Sequence, residues 1–168
     1  MRKMVLSILV DNTAGVLSRV SGLFSRRGYN ITSLTVGETE NPAFSRMTVV
    51  VKGEEQTLEQ IYKQVEKLED VVEITELGPE DSVCRELVLV KVKASQAERQ
   101  SIIAVADIFR AKIVDVAKES LMIELTGNQA KIDAFIKLLD GFEILSIVRT
   151  GLTGLTRGAG DIADYIED

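Results

Sequence analysis

The 168-residue chain has no histidine and no tryptophan, one cysteine and two prolines. Without histidine the commonest general base is missing, and with it serine–histidine triads and most zinc sites. Cys84 has no second cysteine with which to form an internal disulfide, which suits a reducing cytoplasm. At the head of a strand it reads as a small buried hydrophobe rather than a nucleophile. Aromatic residues make up only 5% of the chain, so a core must be built from Val, Leu and Ile, an enrichment that favours sheet. No apolar run approaches the roughly 20 residues of a membrane span, so no membrane is expected. Met1-Arg2-Lys3 resembles the front of a signal peptide, but the apolar run after it stops at Asp11, too soon for a cleavable leader. There is no Gly-Lys-Ser/Thr phosphate loop. The net charge is −6 and no basic stretch stands out, so nucleic acid is not an expected partner. Asp161, Asp164, Glu167 and Asp168 gather in the last ten residues, and residues 159–168 read as a solvated acidic tail.

The pattern that remains is a repeated one. Met4–Val10 is almost wholly apolar and predicts a central, covered strand. Val16, Val20, Leu23 and Phe24 recur at helical spacing, and Arg26, Arg27 and Gly28 end that helix. Ile31–Glu38 and Phe44–Lys52 read as a hairpin around Asn41-Pro42. Leu58, Ile61, Val65 and Leu68 mark a second helix, and Val71–Leu77 a fourth strand. Gly78-Pro79-Glu80-Asp81-Ser82 reads as a linker, placed at residues 79–83. The same order then recurs: strand Glu86–Lys93, helix Gln96–Phe109, strands Lys112–Ala117 and Leu121–Thr126, helix Gln129–Leu139 and strand Phe142–Arg149. Both halves are βαββαβ, so the expected class is α+β: two tandem ferredoxin-like domains, residues 1–78 and 84–158, with helices on one face of each antiparallel sheet. Each half is expected to fold alone. The uncovered sheet face calls for a partner surface, and a homodimer joined through the first domains is expected. Gly151-Leu152-Thr153-Gly154-Leu155-Thr156-Arg157-Gly158 has too little chain after it for a phosphate-binding crossover. It reads as an extended arm that either packs on its own domain or docks on a partner.

The candidate site lies where the first strand becomes the first helix. Asn12 and Gly15 flank that turn, and Asn30 follows the glycine that stops the helix. Glycine at a helix start allows close backbone approach, and first-turn amides favour an anion such as an amino-acid carboxylate. Asn12 reads equally as the helix N-cap, and Asn30 as a residue tolerant of an unusual backbone angle. The expectation is that both asparagines meet on one side of the fold. Leu17, Ile31 and Val36, each taken alone, read as core residues.

The run Asn12-Thr13-Ala14-Gly15-Val16-Leu17, followed by Arg27-Gly28-Tyr29-Asn30-Ile31, resembles an ACT domain, an amino-acid-sensing module. Gly28–Val36, Ser45-Arg46-Met47-Thr48 and Arg149–Gly158 narrow the resemblance to the small subunits of acetolactate (acetohydroxyacid) synthase. That resemblance implies a non-catalytic regulatory subunit that binds valine at the ACT dimer interface, between subunits, for feedback inhibition and activates a separate catalytic subunit. It implies valine contacts at Asn12, Gly15, Val16, Leu17, Asn30, Ile31 and Val36. It implies no cofactor in this chain, with thiamine diphosphate, Mg and FAD on the catalytic subunit. A second reading is a free-standing amino-acid sensor or transcription co-regulator, although no basic helix-turn-helix is visible.

Overall fold

The computed structural model describes residues 1–160; the acidic tail from Asp161 onward lies outside the described residues. The chain forms two compact units, Met1–Cys84 with the segment that begins at Leu152, and Arg85–Gly151.

The first unit runs β1 (Arg2–Asp11), α1 (Val16–Arg26), β2 (Ile31–Glu38), β3 (Phe44–Gly53), α2 (Glu55–Glu66) and β4 (Val71–Glu76). Its antiparallel sheet has the order β2-β3-β1-β4, so β1 is central, as its apolar run predicts. Leu6, Ile8, Met47, Val49 and Val51 project to the helix side and meet Val20, Phe24, Leu58, Ile61 and Val65. Gly28 (φ 69) ends α1 in a left-handed turn. There Tyr29 N–H bonds the Phe24 carbonyl and Gly28 N–H that of Ser25, and the Phe24 and Tyr29 rings meet edge to face at 6.3 Å. This closure satisfies the last helical carbonyls and aims the chain into β2.

The second unit takes up β5 (Ser82–Lys93) from Arg85 and continues with α3 (Gln96–Ile108), β6 (Lys112–Val116), β7 (Ser120–Gly127), α4 (Gln129–Leu138) and β8 (Ile144–Arg149). The order β6-β7-β5-β8 repeats the first topology. Val88, Val90, Val92, Leu121 and Ile123 pack against Ile102, Ile132 and Phe135. Ser95 and Glu98 form a capping box on α3, and Asn128 accepts from Lys131 N–H to cap α4. The α3 C-terminus uses the same closure as α1, with Ala111 N–H on the Ala106 carbonyl and Arg110 N–H on that of Asp107. Here the left-handed position carries Arg110 (φ 57) instead of glycine. Arg110→Gly is therefore expected to raise stability by about 0.5–1 kcal/mol, read from a denaturant midpoint.

The structure moves two boundaries. β5 starts at Ser82, so Ser82 and Val83 are strand rather than linker, and Ser82 Oγ donates to the Gly78 carbonyl at 2.6 Å. The arm, expected to pack on its own domain or to dock on a partner, packs largely on the first unit of the same chain. It forms a short strand, β9 (Thr153–Thr156), that pairs with β5 and lies with the first unit, although it follows the second unit in sequence. It lies on the sheet face opposite the helices. Leu152 N–H donates to Ser33 Oγ (3.2 Å), Thr35 Oγ1 donates to the Leu152 carbonyl (3.3 Å), and Gly154 N–H donates to Thr48 Oγ1 (3.2 Å). Leu152 is buried there, and so are Leu9, Val50 and Leu77, which stand outside the helix-side core. The sheet face expected to be bare is thus covered in part by the chain's own end. The chain consequently leaves the first unit after Cys84 and rejoins it at Leu152, which a boundary drawn at residue 78 or 158 does not capture.

Candidate functional site

The loop from β1 to α1 is built on backbone closure rather than on a side-chain cap. Gly15 (φ 85) is the N-cap of α1, and no side chain bonds the first-turn amides from that position. Asn12 is therefore not the cap. Its backbone N–H donates to the Ala43 carbonyl (2.8 Å), and its side-chain Nδ2 donates to Glu38 Oε1 (3.0 Å) and to the Pro42 carbonyl (2.9 Å). It ties the loop to the tip of the β2–β3 hairpin. With Nδ2 spent in this way, Asn12 has its Oδ1, an acceptor, left to offer a ligand.

Three charged residues missed in the sequence, Arg19, Asp70 and Glu38, complete the surroundings. Arg19, one turn into α1, donates from Nε and Nη2 to the Asp70 carboxylate at 2.6 and 3.1 Å. These hydrogen bonds hold the Asp70 carboxyl below its ordinary range and the Arg19 guanidinium above its own. A Cβ on Gly15 would come within 2.8 Å of Arg19 Nη1. The i, i+4 spacing of Gly15 and Arg19 was a readable signal for Arg19. Asp70 and Glu38 arrive from distant segments and had none. The loop thus gathers the first-turn amides of α1, the Arg19–Asp70 pair, the Glu38 carboxylate and Asn12 Oδ1.

The remaining expected residues divide. Val16 is 4% exposed and its side chain belongs to the core, so only its backbone faces the loop. Ile31 is half-buried against that core. Leu17 and Val36 are each 46% exposed. Val36 pairs with Met47 and Leu34 with Val49, so both lie on the helix side of β2, the end strand of its sheet. Asn30 is exposed, but it does not meet Asn12 within one chain. Asp11 pairs with Phe44 and Glu38 with Ser45, at one end of the sheet, whereas Ile31 pairs with Val51 near the other end. The eight residues of β2 separate the two asparagines by roughly 23 Å. The expectation that they meet on one side of the fold is corrected on that ground: α1 crosses the whole sheet between them.

Among the described residues no group of acidic, cysteine or histidine side chains is arranged to hold a metal ion. No helix among them is long and apolar enough to cross a membrane.

The fold defines an ACT-type unit followed by a second ferredoxin-like unit. Residues 6–73 match the model of the acetohydroxyacid synthase small subunit-like ACT domain, and residues 85–158 match that of the small subunit of acetolactate synthase. The chain belongs to the acetolactate synthase small-subunit family. It is 49% identical to a probable acetolactate synthase small subunit of Methanothermobacter thermautotrophicus, over 92% of this chain and 93% of that protein. It is 48% identical to the acetolactate synthase small subunit of Haemophilus influenzae, over 94% of this chain and 98% of that one. The crystal structure of the Thermotoga maritima small subunit superposes with a TM-score of 0.85 at 44% identity, covering 95% of this chain and all of that one.

Proposed function

We propose that this regulatory subunit binds valine between the first units of a homodimer, and that it acts on a separate acetolactate synthase catalytic subunit in the cytoplasm. The observation that carries the reading is the division of the site between the two ends of an edge strand. Among the described residues β2 has a sheet neighbour only in β3. A second β2, paired antiparallel about a two-fold axis near Leu34 and Thr35, sets Ile31 of one copy opposite Glu38 of the other. Asn30 of the second copy then arrives beside Asn12 and Gly15 of the first, and two equivalent sites form. The half-exposed Leu17, Leu34 and Val36 stripe along this edge becomes the apolar wall for an isopropyl group. The valine carboxylate faces the first-turn amides at Gly15–Leu17, and its ammonium faces Asn12 Oδ1.

The catalytic subunit supplies thiamine diphosphate, Mg and FAD and condenses pyruvate, and this chain performs no step of that reaction. Valine inhibits only to the extent that it binds the less active arrangement of the holoenzyme more tightly; tenfold inhibition corresponds to about 1.4 kcal/mol of difference. The test is a titration of this chain into a fixed amount of catalytic subunit. Acetolactate formation should rise to saturation and then fall on adding valine, and this chain alone should form none. Calorimetry should show valine binding to the isolated dimer. Activity that scales with this chain in the absence of the catalytic subunit removes the regulatory reading. A chain that binds an amino acid but neither activates nor sensitises the enzyme is a free-standing sensor.

A further inference from the structure

β2 carries the two half-sites on one side and is held from the other side by the C-terminal arm. Ser33 and Thr35 alternate with Leu34 and Val36, so they leave the sheet on the face opposite the helices. Their hydroxyls take both backbone groups of Leu152, the amide on Ser33 Oγ and the carbonyl on Thr35 Oγ1. Two residues on, Gly154 N–H reaches Thr48 of the neighbouring strand, and Arg157 N–H bonds the Asp81 carbonyl at 2.7 Å. Only glycine fits at 154: a Cβ would stand 2.6 Å from Leu77 Cδ1 and 2.7 Å from Cys84 Sγ. The arm is thus anchored along its length and its first anchor is the ligand-bearing strand.

In the other direction along the chain, Leu152 follows a single left-handed residue, Gly151 (φ 84). Before it, Thr150 N–H bonds the Leu87 carbonyl, and Arg149 is held by Glu86 and Asp133. Two residues, Thr150 and Gly151, therefore join Leu152, held on β2, to Arg149, held at the end of β8. A β-strand does not stretch, so a displacement of β2 on ligand binding has to be taken up at Gly151 or passed on.

We propose that the Leu152–Gly154 strap carries the effector signal from β2 to the second unit, with Ser33 and Thr35 as its positioning residues. The proposal rests on the valine reading above. Neither hydroxyl is on the ligand side of β2, so removing them separates binding from response. The experiment compares wild type with Ser33→Ala/Thr35→Val in the reconstituted holoenzyme, and measures valine binding to each dimer by calorimetry. Hydrogen exchange at the Leu152 and Gly154 amides is followed with and without valine.

In the wild type, valine should change the exchange of those amides at least fivefold. The double variant should bind valine within threefold of wild type and still activate, while its maximal valine inhibition falls to less than a fifth. Gly154→Val, which displaces the strap by bulk instead of by lost hydrogen bonds, should behave alike. A double variant that exchanges Leu152 rapidly yet keeps full inhibition overturns the strap and leaves the valine reading standing. A wild-type dimer that binds no valine overturns both. Loss of binding and of inhibition together in the double variant assigns the hydroxyls to the site itself and also overturns the proposal.

Discussion

Gly15→Asp is expected to abolish valine binding while the chain stays folded, dimeric and able to activate its partner. Three features of the site lead there. The residue sits at φ 85, where aspartate is among the better tolerated non-glycine residues. The atom its Cβ would crowd is the far end of Arg19, which can swing away. The new carboxylate then occupies the N-terminus of α1 and takes the first-turn amides that a ligand carboxylate needs. The affinity loss should be about a hundredfold or more, about 2.7 kcal/mol, read by calorimetry. Undiminished affinity removes Gly15 from the site.

A site divided between two copies, as proposed, allows a sharper form of the same experiment. Asn30→Ala alone should weaken valine by about 1–3 kcal/mol, the cost of losing a buried polar contact. A mixed dimer of one Gly15→Asp copy and one Asn30→Ala copy contains one doubly damaged site and one intact one. It should bind one valine with wild-type affinity although neither parent does. A mixed dimer as poor as both parents shows that the two residues serve one site within a single chain, or none. The 23 Å separation along β2, taken above from strand rise, speaks against the former.

The elements of this fold were legible because they obey local rules. The 3.6-residue recurrence of Val16, Val20, Leu23 and Phe24, closed by Gly28, gives α1 as found. The continuous apolar run of β1 matches a strand covered on both faces. The arrangement of the site was partly legible: Gly15 announced the tight helix entry, but the meeting of Asn12 with Asn30 conflicted with arithmetic already in the sequence. An 11-residue helix is about 16 Å long, so its two ends stand on opposite sides of the sheet. Asp70 and Glu38 could not be placed, since nothing local marks the partner of Arg19 or Asn12. The arm was least legible. Gly-Leu-Thr-Gly-Leu-Thr has neither helical nor clear strand periodicity, and its partners Ser33, Thr35 and Thr48 lie more than a hundred residues away. The signal available was Gly154, a glycine without a turn to serve, which points to close approach of something else.

Arg149→Ala is expected to be among the most damaging single changes in the chain, costing about 3–5 kcal/mol. Arg149 ends β8 and grips Glu86 by two hydrogen bonds, Nε to Oε1 at 2.6 Å and Nη2 to Oε2 at 3.1 Å, with Nη2 also 3.1 Å from Asp133 Oδ1. Hydrogen bonding to Glu86, foremost, holds the guanidinium more firmly charged than usual. The Glu86 side chain is only 4% exposed. Most of the penalty is therefore not a lost attraction but a carboxylate left in the protein without its cation. That account makes a second, separable demand. Glu86→Gln in the Arg149→Ala background should recover a large part of the loss, because it removes the stranded charge and keeps the shape. Glu86→Gln alone should cost less than Arg149→Ala, since the surviving guanidinium is 35% exposed and keeps Asp133. Chemical denaturation of the four proteins gives the coupling as a double-mutant cycle. A coupling near zero, with the two single losses adding, would mean that Arg149 stabilises by covering apolar surface with its stem instead. In that case Arg149→Met, which preserves the stem, should restore what Glu86→Gln does not.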